Sequence, residues 1–280
     1  MPTQAGIQYF PVGADLRVRP PLDSRQRGND GMESYLCIEI NRRCFMASSW
    51  ENIKVDSSTM RTYVSVPDDS KKAPGIVIVQ GQTGVGDFLE FTRKVASEGF
   101  VGAAPDLYHR DPADCKDDAP TRRLRLTDAT VIADVNATID YLKSHHSVDP
   151  SRIGIVGFCM GGRAVYLMSS VNAELKAGVM YYGGDPFHAW GAGPSPFERT
   201  KDIHCPIMGH FGEDDKNPSP ADMRKLDAEM TRLGKDHEFY SYANAAHAFA
   251  NFGSAGYREH AANASWPRTF GFFAKHLKSA

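Results

Sequence analysis

The chain lacks the marks of most specialised protein classes. Its five cysteines include no Cys-x-x-Cys pair, so the sequence offers neither a zinc-binding spacing nor a readable disulfide framework. No apolar run approaches the roughly 18 residues of a membrane-spanning helix. Neither sign of charge is in excess: 32 Lys+Arg against 34 Asp+Glu leave a net charge of -2. That removes the electrostatic footprint of a nucleic-acid or anionic-membrane binder. The first residues have no basic-then-apolar pattern of a secretory signal. These absences predict a cytoplasmic protein with free thiols and no metal.

What is present is an ordinary globular composition over 280 residues, with 41% apolar and 24% charged residues. Residues 1–45 differ from the rest. Pro11, Pro20, Pro21, Gly13, Gly28 and Gly31 interrupt any apolar period, which predicts a disordered N-terminal extension followed by one domain over 46–280. Alternating patterns begin at Met46, which is a candidate for the natural start of the domain.

From residue 50, strand-like and helix-like segments alternate. Arg61–Val66 and Pro74–Val79 read as strands, Asp87–Glu98 as a helix closed by Gly99, and Phe100–Ala104 as a strand. Thr127–Lys143 carries Val131, Val135, Ile139 and Leu142 at helical spacing, with Asp149-Pro150 expected to end it. Later strands are expected at Ala177–Tyr182, Pro206–Phe211 and Glu238–Tyr242. Ser219-Pro220 should start a helix, and Tyr257–Leu277 should close the fold as a helix bent at Pro267. This alternation predicts an α/β architecture with a mostly parallel sheet covered on both faces.

The most informative stretch is Gly157-Phe158-Cys159-Met160-Gly161-Gly162. It follows the buried-type run Ile153–Val156 and precedes a helical segment, Arg163–Val171. A Gly-x-nucleophile-x-Gly turn between strand and helix is the nucleophile elbow of the α/β-hydrolase fold, with cysteine here at the nucleophile position. A thiol attacks as thiolate, so it needs a helix N-terminus or a histidine to hold the charge. In this fold an acid and a histidine follow the nucleophile in chain order. His247, set among alanines after the last strand, is the candidate base. Asp215, after Gly212, is the favoured acid, with Asp214 as its alternative. The backbone N–H groups of Met160 and Gln82 are the candidate oxyanion donors. The loop Gln80–Val85 lacks the Lys-Ser/Thr ending of a phosphate-binding P-loop. Arg122, Arg123 and Arg125 form a basic cluster on a solvated face, from which Arg123 is the candidate to reach an anionic substrate.

Taken together, the Gln80–Val85 turn, Pro105-Asp-Leu-Tyr108, the Cys159 elbow, Tyr181-Tyr-Gly183, the Gly212–Asp215 turn and Ala246-His247-Ala-Phe249 resemble the dienelactone hydrolase family. The resemblance runs from about Ile53 to Leu277. It implies a Cys159-Asp215-His247 triad, no cofactor, and hydrolysis of a small-molecule ester or lactone by a monomer or homodimer. The family's name-giving reaction opens dienelactone to maleylacetate. Two positions depart from its pattern. Gly81 stands where the family has a glutamate that contacts the cysteine, and Asn251 stands where it has an arginine for the substrate carboxylate. Gly81, Tyr108, Arg123, Tyr182 and Asn251 are therefore the candidate substrate-facing positions. Transfer of the acyl group to a thiol or amine, thioester cleavage, a redox-sensing thiol, and a non-catalytic binding protein on the same fold are the competing readings.

Overall fold

A computed structural model describes residues 47–68 and 72–278. The expected N-terminal extension and the proposed start at Met46 lie outside the described residues. The elements in chain order are β1 (Ala47–Val55), β2 (Ser58–Val66), β3 (Ala73–Val79), α1 (Leu89–Ser97), β4 (Val101–Pro105), α2 (Ala119–Arg123), α3 (Asp128–Ser144), β5 (Val148–Phe158), α4 (Met160–Val171), β6 (Leu175–Tyr181), β7 (Ile207–Gly212), α5 (Pro220–Arg232), β8 (His237–Tyr242) and α6 (Glu259–Phe273).

The strands form one eight-stranded sheet in the order β1-β2-β4-β3-β5-β6-β7-β8. β1 and β2 pair antiparallel, as do β2 and β4. From β4 to β8 every pairing is parallel. The strands alternate between two cores, as the two-residue period requires. In β3, Val77 and Val79 join the cluster that includes α3, α4 and α5 residues, while Ile76 and Ile78 face α1 and α6. In β5, Ile153 and Ile155 point to the first face and Val156 and Phe158 to the second. A sheet buried on both sides explains why its strands read as continuous apolar runs.

Helix ends follow local chemistry. Thr127 caps α3, its hydroxyl accepting from Thr130 N at 3.2 Å within a capping box. Ser219 caps α5 in the same way, and Asp222 returns the bond to Ser219 N at 2.8 Å. Pro220 fills the first helical position, where a missing N–H removes no helical bond.

Several boundaries differ from the sequence expectation. Asp87–Glu98 divides into a short 3-10 turn at Val85–Phe88 and α1. α3 ends at Ser144, where His145 turns extended, and Asp149-Pro150 lies inside β5 instead of terminating the helix. α4 starts at Met160, three residues earlier than Arg163, so Cys159 is its N-cap residue. Pro267 is accommodated inside α6, which continues to Phe273 and ends in a π-turn at Ala274–Lys278.

Candidate active site

Cys159 sits at the C-terminal edge of the parallel sheet, on the turn from β5 into α4, with φ 56° and ψ -120°. A non-glycine residue here carries strain on the order of 1–3 kcal/mol, held in place by its surroundings. The neighbours show what holds it. A Cβ on Gly157 would lie 2.1 Å from the Gly161 carbonyl oxygen, and one on Gly161 would lie 2.2 Å from the Val79 carbonyl oxygen. Real side chains do not fit at such distances, so glycine at both positions lets strand and helix backbones touch. Behind the elbow, Arg163 is fully buried and ion-paired with Asp128, which fixes the first turn of α4.

His247 follows β8, on a loop whose next residue, Ala248, has φ 62°. Its Nδ1 lies 2.9 Å from Asp215 Oδ2. An ionised carboxylate only accepts hydrogen bonds, so Nδ1 carries the proton and Nε2 is left for Cys159. The other oxygen of Asp215 accepts from Asn217 N at 2.9 Å. Asp215 is buried at 3% exposure, whereas Asp214 is exposed, its backbone N–H donating to Ala245 O. The turn after β7 therefore directs Asp215, not Asp214, toward the histidine. The Tyr182 ring packs 5.1 Å from the His247 ring and limits its orientation.

These contacts set the protonation states. Burial by itself pushes the Cys159 thiol up. The hydrogen bond and charge of His247, with the N–H groups of Met160 and Gln82, outweigh it and bring the thiol below its ordinary value. Burial by itself lowers His247, but hydrogen bonds to Asp215 and Cys159 and the charges of both raise it to about 10. Both shifts favour the thiolate–imidazolium pair over the neutral pair. Met160 opens α4 and Gln82 lies on the loop after β3, so the two N–H groups that lower the thiol belong to different parts of the chain.

That loop is braced from below. Gln80 is buried, and its Oε1 accepts from Leu107 N at 3.2 Å. Tyr108 donates its hydroxyl to the Gln82 carbonyl at 2.8 Å. Burial raises the Tyr108 phenol to about 12, so it stays a donor. A cavity of about 790 Å³ opens above Cys159 and His247. Of the candidate substrate-facing positions, Gly81, Tyr182 and Asn251 line it, as does Gln82. Tyr108 and Arg123 do not. Tyr108 lies beneath the loop, with Arg122 stacked 4.1 Å from its ring centre. Arg122 and Arg125 converge on Asp111, and Arg123 rests 5.1 Å over the Trp190 ring. The basic cluster is thus spent on its own neighbours. Among the described residues no group of three or more His, Cys, Asp or Glu side chains is placed to hold a metal.

Comparison with known proteins agrees with this geometry. The model of the dienelactone hydrolase family matches residues 60–277. The chain belongs to the dienelactone hydrolase family. Curated relatives carry the name "Putative carboxymethylenebutenolidase". The protein from Salmonella typhimurium is 30% identical over 236 residues, covering 80% of this chain and 86% of its own. The one from Synechocystis is 29% identical over 226 residues, covering 77% and 92%. The crystal structure of a "Putative Dienelactone Hydrolase" from Klebsiella pneumoniae superposes with TM-score 0.74 at 28% identity, covering 82% of this chain and 99% of that one. Membership makes the chain an α/β-hydrolase-fold enzyme acting on ester or lactone bonds. Where the family pattern has a glutamate, Gly81 packs against the elbow: a Cβ there would stand in ordinary contact, 3.4 Å from the Phe88 ring and 3.6 Å from both Cys159 Cβ and the Phe158 carbonyl oxygen.

Sequence reasoning missed the cavity's aromatic wall. Phe88 and Phe91 enter from the start of α1, Phe158 from the end of β5 and Trp266 from α6. No local motif joins these positions. Phe91 and Trp266 have unremarkable core-like spacing in their own helices, and only the packing of α1 against α6 turns them toward one space.

Proposed function

We propose that this dienelactone hydrolase family member cleaves carboxylic esters or lactones through an acyl-cysteine intermediate on Cys159, with His247 as acid–base and Asp215 orienting it. The observation that carries this reading is the 2.9 Å hydrogen bond from His247 Nδ1 to buried Asp215, with His247 and Cys159 lining one cavity at the C-terminal edge of the sheet.

The thiolate attacks the carbonyl carbon and a C–S bond forms. The carbonyl oxygen becomes an oxyanion and takes the Met160 and Gln82 N–H bonds that had pointed at the thiolate. Each such donor is worth on the order of 10²-fold or more in rate. The intermediate collapses, the ester C–O bond breaks, and imidazolium His247 gives its proton to the leaving oxygen. In a lactone the released hydroxyl stays tethered to the acyl group. Water then attacks the thioester carbonyl while His247 takes its proton. The C–S bond breaks and the acid leaves. Asp215 holds the ring through both transfers and stabilises its cation. The curated relatives' name, carboxymethylenebutenolidase, and that of a 25% identical Bradyrhizobium protein, "Probable 2-oxo-3-(5-oxofuran-2-ylidene)propanoate lactonase", support including lactones among the substrates.

Mixing enzyme with a small activated ester and quenching in acid should give an acyl adduct on the Cys159 peptide by mass spectrometry. Cys159→Ala should lose the adduct and at least 10³-fold of the turnover. Full turnover by that variant would overturn the mechanism.

A further inference from the structure

The composition of the cavity wall says what kind of group it receives. Phe91 stands 5.1 Å from Trp266 with the rings tilted by 32°, and meets Phe158 edge-on at 5.0 Å. Trp266 lies 6.1 Å from Phe158 and 5.1 Å from Tyr181. Phe158 immediately precedes the nucleophile, so this aromatic corner begins beside the reacting sulfur. Phe91 and Trp266 are only half-buried, and both line the cavity. Their rings therefore offer faces and edges to a guest. At the mouth, Phe252 is 85% exposed and carries the apolar surface outward.

The charges point the same way. No arginine is among the residues lining the cavity, and position 251 presents an uncharged amide. The one lysine there, Lys94, shares its wall with Asp87 and with Glu90 one helical turn before it. Lys94 is exposed, its ammonium 5.6 Å from the Phe270 ring. Glu90 is ion-paired with Arg93, so among the described residues lining the cavity a substrate carboxylate would find one exposed lysine beside Asp87 and no arginine fork to hold it. An uncharged ring would meet edges and faces suited to offset and T-shaped packing.

We infer that the site selects a neutral ester or lactone bearing an aromatic ring, packed against the corner formed by Phe91, Phe158 and Trp266, over a substrate carrying a carboxylate. This rests on the proposed acyl-cysteine reading for turnover, but the binding preference stands apart from it.

The test uses esters that share small leaving groups or small acyl groups. By pH-stat titration, kcat/KM should be at least tenfold higher for ethyl phenylacetate or benzyl acetate than for ethyl acetate, the scale set by burying a ring. Monoethyl succinate, which is anionic, should fall at or below ethyl acetate. Phe91→Ala and Trp266→Ala should each cut the ring-to-acetate ratio at least threefold, with circular dichroism confirming the fold. Preference for monoethyl succinate, or ratios unmoved in both variants, would overturn the inference. Binding is read separately in Cys159→Ala by tryptophan quenching. Methyl phenylacetate should bind at least tenfold more tightly than the phenylacetate ion, which has the same ring with a charge. Equal binding defeats the inference even if the enzyme proves an efficient esterase. If the wild type cleaves none of the esters but this binding difference holds, the acyl-cysteine reading falls and the selectivity stands.

Discussion

The elbow and the cavity rim bound the same space and are built on opposite terms. Around Cys159 the backbone is packed to contact: added methyl groups at Gly157 and Gly161 would lie 2.1 and 2.2 Å from carbonyl oxygens. At the outer rim, in residues 252–254, Phe252 is almost fully exposed, and a methyl group on Gly253 would find only Asn251 Oδ1, at 3.8 Å, while Gly256 returns to backbone contact with a Cβ 2.2 Å from the His247 carbonyl oxygen. The first region holds a strained nucleophile in one position because nothing near it can yield. The second carries side chains that can be exchanged without moving the backbone. On the proposed mechanism, chemistry and selectivity would be separated: bond breaking is tied to the sheet edge, while recognition is left to surfaces where substitution is tolerated.

The comparison is tested most severely within a single turn. Asp215→Asn should lower kcat by roughly 10²–10⁴, by analogy with other triads in which the orienting acid is neutralised. Asp214→Asn, one residue away and exposed, should stay within about twofold. Equal losses at both positions would mean that the buried hydrogen bond to His247 is not what matters. The next contrast is between glycines. Gly157→Ala should cost roughly 3 kcal/mol or more in denaturant unfolding, since backbone must shift to admit the methyl group. Gly253→Ala should change stability by no more than about 1 kcal/mol. Similar costs would erase the proposed difference between elbow and rim.

A smaller effect concerns charge. The folded protein lowers the Cys159 thiol and raises His247 to about 10. The thiolate should therefore persist below the ordinary thiol value of about 8.5, and its imidazolium partner should persist until pH rises through about 10. Alkylation of Cys159 by iodoacetamide should titrate with a midpoint below that of a free thiol. His247→Ala removes both the hydrogen bond and the positive charge, so the midpoint should move upward. An unmoved midpoint would leave the helix N-terminus and the two amides as the sole source of the shift.

Much of the fold was legible because its signals are local. Buried parallel strands show as apolar runs at Ile76–Val79 and Ile153–Val156, and caps such as Ser219-Pro220 mark their own helix starts. Asp149-Pro150 misled because a proline was read as a helix stop, whereas α3 had already ended and the pair lies in the irregular first half of β5. The nucleophile was legible for the same local reason as the strands: glycines at fixed offsets are required by the turn itself. Arg123 was misplaced because a basic cluster in sequence does not reveal that Asp111 and Trp190 already occupy it.

By itself, the sequence determined the α/β alternation and the glycine-framed turn at Cys159, since each depends on residues close together along the chain. Tertiary structure alone decided that Asp215 rather than Asp214 meets His247, that Tyr108 braces the Gln82 loop from beneath, and that Phe91, Phe158 and Trp266 share a wall. Those outcomes depend on which way side chains point after distant elements pack, and a linear pattern carries no record of that direction.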